Sequence, residues 1–340
     1  MSGSPAAPDL GWIALWLADE RVPADGPLHA VRIGHGYSNL TYLLSDSAGG
    51  SWVLRRPPPG ELLASAHDVV REARIMNALA PTDVAVPTVH SVGEDQDGVP
   101  WVLMEHVAGD VVDSVAAGQR ISDSARGALG PSMARSLARI HGVEIDNIGL
   151  GDLASRAPYG PRQLRRWTRQ WEQTRTEPFR ALDWLTERLA AAVPAEHRIG
   201  LVHGDFHIRN VIVREGDVAA VLDWELSTLG DPLADLGTLL AYWPHPGEIA
   251  AGDATSPTTL PGWPTRDDLL RHYATASGRD LSGIGFWHVL GLWKIAIIGH
   301  GVMRRAAEQP DARSLGQIPT NADISALVEY THHVADGWAL

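Results

Sequence analysis

Three oxygen-bearing side chains between residues 203 and 223 have the types and spacing that phosphoryl transfer needs. Asp205 lies five residues before Asn210, and Asp223 follows a short apolar segment, VIVREGDVAAVLDW. In such a set, one carboxylate orients an attacking hydroxyl and accepts its proton, while an amide oxygen and a second carboxylate hold the Mg²⁺ ions that bridge the nucleotide phosphates. The pattern predicts Asp205 as the catalytic carboxylate and Asn210 and Asp223 as metal ligands.

The same segment argues against two other kinds of site. A surface loop before a β-hairpin would not require all three side chains together. His203 and His207 have the H-x-x-x-H spacing of a zinc site, but zinc proteases carry it on a helix with a Glu beside the first His. Gly204 and Asp205 are poor helix residues and no such Glu is present, so the spacing does not indicate zinc.

A glycine-rich turn near the N-terminus could approach nucleotide phosphates. Small residues in Gly34-His35-Gly36-Tyr37-Ser38-Asn39 would let backbone N–H groups come close to a phosphate. Most such turns are ordinary hairpins, so the turn gains weight only from the residues that follow it. The predicted cofactor-binding residues here are Gly34, Gly36, Ser38 and Asn39.

A charge pair is expected just after this turn. Kinases place a cation on the third strand, where it holds the α- and β-phosphates, and a carboxylate on the next helix, which orients the cation. Strand 52–55 supplies Arg55 where Lys is usual, and helix 66–79 supplies Glu72. Arg can bind phosphate bidentately but does not replace Lys in every respect. Strand alternation points the neighbouring Arg56 to the opposite face, and a surface ion pair is the alternative role for Glu72.

The segment Trp101-Val102-Leu103-Met104-Glu105-His106-Val107 is expected to join the two halves of the chain. Backbone groups there would meet the adenine ring, which makes Glu105 and Val107 the remaining predicted cofactor-binding residues. A buried strand end is the other interpretation, and the two are compatible.

Composition restricts the class of protein. The chain has 340 residues, 44% of them apolar and 20% charged, as is ordinary for a globular protein. It contains no Cys, which excludes disulfides, thiolate zinc sites and Cys nucleophiles. A net charge of −13 argues against nucleic acid as the main partner. The N-terminus lacks a basic leader, and the apolar run 289–298 is interrupted by Lys294 and too short to span a bilayer, so we expect a cytoplasmic protein that does not enter a membrane.

Arginine is concentrated between residues 156 and 180 of this acidic chain. The stretch holds seven arginines, Arg156, Arg162, Arg165, Arg166, Arg169, Arg175 and Arg180. Such a cluster indicates an anionic ligand nearby, although a solvated helix face would look the same because Arg is a good helix former. On a helix Arg162, Arg166 and Arg169 can act together while Arg165 points aside.

Hydrophobic periodicity and turn residues predict an α+β protein of two lobes. An amphipathic helix is predicted at 9–18, and then strands at 29–33, 40–44, 52–55, 88–93 and 101–106 with a helix at 66–79. Further helices are predicted at 122–141, 161–173, 179–192, 265–277 and 283–305, around a β-hairpin-like segment at 201–224 and a loop at 251–264. This organisation predicts a helical leader at 1–28, a nucleotide-binding lobe at 29–106 and a catalytic and acceptor-binding lobe at 107–340.

Several motifs resemble the aminoglycoside phosphotransferase-like kinase family over roughly residues 30–305. The carriers are LVHGDFHIRNVIV, VLDWE and GDPLADL. Five further segments resemble the branch found as the kinase domain of acyl-CoA dehydrogenase fusion proteins and as stand-alone bacterial relatives: GHGYSNLTYLL, WVLRRPPPG, SAHDVVREARIM, YGPRQLRRWTRQW and DWELSTLGDPLADLG. Arg in place of the strand Lys is typical of that branch.

The resemblance implies a bilobal protein-kinase-like fold with a small antiparallel β lobe that has one helix and a large, mainly helical lobe. It also implies ATP and Mg²⁺ as cofactors. Asp231 and Asp235 are expected to brace the loop after the metal-binding Asp, and His203 to pack and hydrogen-bond within the catalytic loop. The acceptor-binding residues are expected to be His207, Arg162, Arg166 and Arg169.

The expected activity is ATP-dependent phosphorylation of a small-molecule hydroxyl. Some members of the branch phosphorylate hydroxyacyl-CoA thioesters, and the arginine cluster fits a CoA-like anion or a related hydroxy acid derivative better than a cationic aminoglycoside. The acidic net charge points the other way, so an aminoglycoside or other antibiotic O-phosphotransferase is the alternative. A catalytically silent nucleotide-binding protein is a second alternative, against which the intact set of Asp205, Asn210 and Asp223 argues.

Overall fold

A computed structural model describes Ile13, Trp16 and residues 26–34, 39–58, 68–175, 177–195, 199–248, 256–308 and 318–340. Its contacts divide the chain into two compact units. The first comprises Met1–Pro81 and Val86–Val107, and the second Thr82–Ala85 and Ala108–Leu340.

The first unit is a five-stranded sheet with one helix. Its elements are β1 (His29–Ile33), β2 (Leu40–Ser45), β3 (Ser51–Arg56), α1 (Val69–Leu79), β4 (Val89–Glu94) and β5 (Pro100–Glu105). The strand order is β1-β2-β3-β5-β4, and every pairing is antiparallel. Buried and half-buried residues alternate along β2 and most of β3, as expected for strands with one face on a core. The predicted β-β-β-α-β-β order of the small lobe is confirmed.

The two helices predicted for this unit are described only in part. Asp68 caps α1 by accepting a hydrogen bond from the Arg71 N–H at 2.8 Å, so the helix begins at Val69 and buries Val69, Ile75 and Leu79. Positions 66 and 67 of the predicted helix lie outside the described residues. Of the predicted helix 9–18, only Ile13 and Trp16 are described, and both have helical backbone.

The second unit is mainly helical. Its helices are α2 (Val115–Arg120), α3 (Asp123–Gly142), α4 (Tyr159–Thr174), α5 (Arg180–Ala191), α6 (Leu233–Ala241), α7 (Arg266–Ser277), α8 (Ile284–Glu308) and α9 (Asn321–Gly337). Its strands are β6 (Asp110–Val111), β7 (Gly200–Val202), β8 (Val211–Arg214), β9 (Asp217–Val221) and β10 (Thr228–Gly230). Antiparallel pairing joins β6, β8 and β9 in one sheet and β7 with β10 in another. The β-hairpin predicted within 201–224 is confirmed as β8 and β9.

Helices α2, α6 and α9 were not predicted, and a turn of 3₁₀ helix at Pro257–Thr259 lies in the predicted loop 251–264. Every residue of α6 is buried, so its sequence lacks the polar face that reveals an amphipathic helix. Helix α9 has a sequence signal that could have found it. Thr320 and Asp323 form a reciprocal capping box at its start.

Helices α6 and α8 pack against each other at very short range, which positions the polar side chains that they carry. A Cβ atom built on Gly237 of α6 would lie 2.3 Å from the Trp287 backbone carbon of α8, so only glycine fits there. Helix α8 is 25 residues long and, by length and composition, could cross a membrane, unlike the shorter run expected from the sequence. However, 72% of the apolar 18-residue stretch of this helix is buried inside the protein, as in a core helix.

Candidate active site

The loop of residues 203–210, between β7 and β8, brings two of the predicted site residues into direct contact. Asn210 donates from Nδ2 to the Asp205 backbone oxygen at 2.9 Å and to Asp205 Oδ2 at 3.1 Å. A short 3₁₀ turn, Ile208–Asn210, closes the loop so that this contact can form. Because the amide nitrogen points to Asp205, the amide oxygen of Asn210 is left as an acceptor or a metal ligand.

His207 holds the same carboxylate from another side. Its Nε2 lies 3.3 Å from Asp205 Oδ2, and its Nδ1 accepts the Arg209 N–H at 3.3 Å, which assigns the ring proton to Nε2. The ring packs on Tyr242, with 4.4 Å between the ring centroids. Both side-chain contacts fall on Oδ2, and Oδ1 has no hydrogen-bond partner among the described residues, so that oxygen is available to a substrate hydroxyl.

The electrostatic surroundings keep Asp205 ionised. Burial raises the pKa of its carboxyl, but His207, Lys294 and His203 lower it by more, and the net pKa lies well below its ordinary value. The side chain is still 29% exposed. Asp205 is therefore a charged hydrogen-bond acceptor at neutral pH that a ligand can reach.

A second carboxylate, Asp235 on α6, fixes the backbone of the 203–210 loop. Its Oδ1 accepts the Gly204 N–H at 2.8 Å, and its Oδ2 accepts the His203 N–H at 2.6 Å and His141 Nε2 at 3.1 Å. The Asp235 residue is fully buried. The Tyr273 hydroxyl lies 2.7 Å from His141 Nδ1. Because burial lowers the pKa of His141, the ring is neutral: its Nδ1 accepts a hydrogen bond from the tyrosine hydroxyl, and its Nε2 donates one to Asp235.

This arrangement corrects the predicted role of Asp235. The sequence suggested that Asp231 and Asp235 brace the loop after Asp223. Instead, Asp235 binds the backbone just before Asp205, and Asp231 accepts the Leu233 N–H at 2.9 Å at the start of α6. Gly204 has a φ of 88°, and a Cβ there would lie 2.5 Å from the Leu226 oxygen, so this loop needs glycine where kinases carry Arg.

His203 links the 203–210 loop to the segment that carries Asp223. Its Nε2 donates to the Leu222 oxygen at 2.9 Å, and its ring packs against Trp224 with 4.7 Å between the ring centroids. The Leu222 N–H in turn donates to the backbone oxygen of Asn210 at 2.8 Å. The expected packing and hydrogen-bonding role of His203 is confirmed, and the segments of Asn210 and Asp223 are neighbours.

Asp223 has an uncommon backbone conformation. Asp223 has left-handed backbone angles, φ 65° and ψ 63°, which are uncommon for a residue other than glycine and often mark functional positions. Among the described residues no group of three or more His, Cys, Asp or Glu side chains could hold a metal. A carboxylate and an amide oxygen are of the ligand type that Mg²⁺ takes in proteins, with waters and substrate phosphates in its other positions.

In the first unit, the predicted charge pair forms. Arg55 Nε lies 3.0 Å from Glu72 Oε2, and the Glu72 side chain is 3% exposed. Arg56 points the other way and pairs with Asp95 at 2.8 Å, as strand alternation predicts. Arg55 is thus the cation held by the helix carboxylate.

The remaining predicted cofactor-binding residues are partly described. Gly34 has a φ of 75° and open space where a Cβ would lie, and Asn39 is buried. Gly36 and Ser38 lie outside the described residues. Glu105 is exposed, and its Oε2 accepts the Thr88 N–H at 3.1 Å and hydroxyl at 2.9 Å, so its side chain braces the strand ends. Val107 is the last residue of the first unit.

The predicted arginine group on α4 separates into two kinds of residue. Arg162 donates to the Leu229 oxygen at 2.6 Å and lies over the Tyr159 ring, which ties it to β10. Arg166 and Arg169 are exposed. The three arginines therefore do not form one free set. Helical spacing groups them on one side of the helix but cannot show that Arg162 has a backbone partner.

Lys294 on α8 is a site residue that the sequence analysis missed. Its Nζ donates to the Gly204 oxygen at 3.1 Å and lies 5.3 Å from the centroid of the Trp167 ring. Burial lowers the pKa of Lys294, and the charge of Asp205 opposes that shift. A single cation inside an apolar helix was the available signal, since lysine is rarely buried without a role.

Sequence comparisons match the chain to a known family. The profile of the phosphotransferase enzyme family matches residues 29–269. Acyl-CoA dehydrogenase family member 10 of Mus musculus is 37% identical over 288 residues, which cover 83% of this chain and 27% of the mouse protein. The chain therefore spans about a quarter of the length of that relative.

Solved structures show the fold. A candidate aminoglycoside phosphotransferase of Ralstonia eutropha is 30% identical, with a TM-score of 0.75 and 97% of each chain covered. An aminoglycoside phosphotransferase bound to AMP-PNP and hygromycin B is 13% identical, with a TM-score of 0.60, 96% of this chain covered and 98% of that one. The expected bilobal, protein-kinase-like α+β fold is confirmed.

We predict that Asp235→Asn lowers the melting temperature strongly. The amide nitrogen would face N–H donors, and each buried polar group left unsatisfied costs about 1–3 kcal/mol. Differential scanning fluorimetry measures the change. The control is Asp267→Asn, at an exposed position of α7, which should change the free energy of unfolding by no more than about 0.5 kcal/mol, as surface substitutions usually do. Equal melting temperatures for the two variants would contradict the anchoring role.

Proposed function

Because the chain belongs to the phosphotransferase enzyme family, we propose that it transfers the γ-phosphoryl group of ATP to a hydroxyl of a hydroxyacyl-CoA thioester or a related hydroxy acid. The chain is a small-molecule kinase, and the acceptor is what the proposal adds. The observation that carries the proposal is the 203–210 loop, in which Asn210 and His207 hold one oxygen of an ionised Asp205 and leave the other open.

The chemical step follows from that geometry. The acceptor hydroxyl donates its hydrogen bond to Asp205 Oδ1. As its oxygen bonds to the γ-phosphorus, the bond between that phosphorus and the bridging oxygen to the β-phosphate breaks, and the hydroxyl proton passes to Asp205. The products are a phosphate monoester and ADP, and Asp205 then returns the proton to solvent. Since its pKa is low, Asp205 acts chiefly by orienting the hydroxyl and by accepting the proton late.

Asn210 and Asp223 would hold Mg²⁺ through the amide oxygen and the carboxylate. When bound, the ion would neutralise charge on the phosphates. In the first unit, Arg55 offers a planar guanidinium that matches phosphate geometry and that Glu72 keeps in one orientation. Gly34, Gly36, Ser38 and Asn39 would approach the phosphates through the backbone, and the backbone at Glu105 and Val107 would meet the adenine. The AMP-PNP complex of a structural neighbour supports a nucleoside triphosphate.

Two observations support an acyl-CoA acceptor. The relative with 37% identity is named as an acyl-CoA dehydrogenase family member, although this chain matches only 27% of it. In addition, α4 exposes Arg165, Arg166 and Arg169, which can attract the phosphates of CoA. An aminoglycoside or other antibiotic is the second candidate, since a solved neighbour with 30% identity is described as a candidate aminoglycoside phosphotransferase and the net charge is −13. A catalytically silent nucleotide-binding protein is a third, which the intact loop disfavours.

The proposal is tested by a mass-spectrometric screen for products that gain one phosphoryl group. The purified chain is incubated with Mg²⁺, ATP or GTP, and separate sets of hydroxyacyl-CoAs, hydroxy acids and aminoglycosides. We expect phosphorylated hydroxyacyl-CoA or hydroxy acid. Phosphorylated aminoglycoside alone would support the second candidate, and nucleotide binding without any product would support the third.

We predict that Asp205→Asn lowers turnover by about 10²–10⁴ while the dissociation constant for MgATP stays within about twofold. The variant keeps the shape but loses the proton acceptor, and loss of a general base has an effect of this size. The exposed Asp217→Asn on β9 serves as the control and should retain wild-type turnover. Near wild-type turnover in Asp205→Asn would contradict the assignment.

We predict that Asp223→Ala abolishes the magnesium-dependent part of ATP binding. The carboxylate charge is lost where a cation must offset the phosphates. Calorimetry of ATP binding with Mg²⁺ and with EDTA measures that part directly. An unchanged magnesium dependence in the variant would show that Asp223 is not a ligand.

We predict that Arg166→Ala raises the KM for a hydroxyacyl-CoA by about tenfold or more, because a charge-assisted contact contributes roughly 1.5–3 kcal/mol. The KM for ATP should change little. Arg162→Ala should instead lower the melting temperature, since Arg162 binds the Leu229 oxygen. An unchanged acceptor KM in Arg166→Ala would leave α4 as a solvated face.

A further inference from the structure

Lys294 is a half-buried cation that makes no direct ion pair with a described residue. Its ammonium group can donate three hydrogen bonds, and one goes to the Gly204 oxygen at 3.1 Å. The charge of Asp205 acts on it only from beyond ion-pair distance. Taking a charge partly out of water is costly where its hydrogen bonds are not replaced, and a ligand that supplies another acceptor would lower that cost.

A small cavity lies directly beside the ammonium. Its volume is about 20 Å³, enough for one oxygen-sized group. Its lining includes Lys294, Trp167, Gln163, Tyr159, Trp287 and Gly204. The cavity thus borders the residue that precedes Asp205, which places it close to the reacting hydroxyl.

Two groups of the cavity lining, the Lys294 ammonium and the Trp287 indole N–H, can only donate hydrogen bonds. Trp287 is 2% exposed, and its Nε1 is buried without a hydrogen-bond partner among the described residues. Asp235 also lines the cavity, but its two oxygens are occupied by the His203 and Gly204 N–H groups and by His141. Gln163 Oε1 accepts the Trp167 indole N–H at 3.2 Å. The group that matches these two donors is an acceptor, such as a carbonyl or carboxylate oxygen.

We propose that Lys294, together with the Trp287 indole N–H, binds a carbonyl-type oxygen that the acceptor carries near its reacting hydroxyl. This inference rests on the proposed function and narrows it, since a thioester or a carboxylate offers such an oxygen. An aminoglycoside instead offers ammonium groups, which Lys294 repels. Lys294 is then a specificity-determining residue that also braces the 203–210 loop through the Gly204 oxygen.

The test compares acceptors that differ only in this oxygen. The full chain is assayed with MgATP and 2-, 3- and 4-hydroxybutyryl-CoA, each paired with the thioether in which CH₂ replaces the thioester carbonyl, and with the free hydroxybutyrates. For the isomer with the highest turnover, we expect kcat/KM to be about 10-fold to 100-fold higher for the thioester than for the thioether, as expected for one charge-assisted contact. A still higher value for the free acid would support the inference and identify a carboxylate as the source of the oxygen.

Substitutions then assign the discrimination to Lys294. Lys294→Met should bring the thioester-to-thioether ratio close to one, mainly through the acceptor KM, while the dissociation constant for MgATP stays within about twofold. Trp287→Phe keeps an aromatic ring but removes the indole N–H donor, and it should lower the thioester-to-thioether ratio in part. This variant decides the test if Lys294→Met does not fold. Arg305→Met removes an exposed cation from the same helix as Lys294 and should leave the ratio unchanged.

The two levels of the account fail in different ways. Phosphorylated products with equal thioester and thioether rates in the wild type would overturn this inference and leave the proposed function intact. An equal loss on both acceptors in Lys294→Met would do the same, because it would show a purely structural role. No phosphorylated product from any hydroxybutyryl compound would overturn the proposed function and this inference together.

Discussion

Gly204, the residue before Asp205, is held at its N–H and at its C=O by oppositely charged side chains from two helices. Asp235 of α6 accepts the Gly204 N–H at 2.8 Å, and Lys294 of α8 donates to the Gly204 oxygen at 3.1 Å. The two helices can meet there because Gly237 brings α6 against the backbone of α8 at Trp287. The orientation of the Asp205 carboxylate therefore depends on a core packing contact as well as on its own hydrogen bonds.

Burial makes these contacts specific. An ionised carboxylate inside a protein is costly unless donors surround it, and Asp235 has three, two of them backbone N–H groups of the 203–210 loop. Neutral His141 accepts a hydrogen bond from the Tyr273 hydroxyl, and burial lowers the pKa of His141, which favours that neutral form. The same surroundings keep Asp205 charged, since His207, Lys294 and His203 outweigh the effect of burial on its pKa. One polar network thus fixes the loop and sets the charge of its reactive group.

Local sequence patterns predicted the parts of the site that depend on short spacing. The contact between Asp205 and Asn210 follows from five-residue spacing within one loop, and the choice of Arg55 over Arg56 follows from strand alternation. The succession of strands and helix along the first unit was predicted from hydrophobic runs and turn residues, whereas the order of the strands within the sheet was not predicted. Long-range contacts were not predictable. Periodicity grouped Arg162 with Arg166 and Arg169 but could not show the bond from Arg162 to β10, and it gave no sign that Lys294, ninety residues further along the chain, reaches Gly204. Helix α6 escaped prediction because it is buried on every side.

The most direct test of the central claim is a crystal structure of the chain with Mg²⁺, AMP-PNP and a hydroxyacyl-CoA. The clamped 203–210 loop predicts that the acceptor hydroxyl lies about 2.6–3.2 Å from Asp205 Oδ1, as a proton acceptor requires, with Asn210 and His207 still on Oδ2. A complex in which the hydroxyl lies beyond hydrogen-bond reach of Asp205, with the nucleotide in place, would contradict the account.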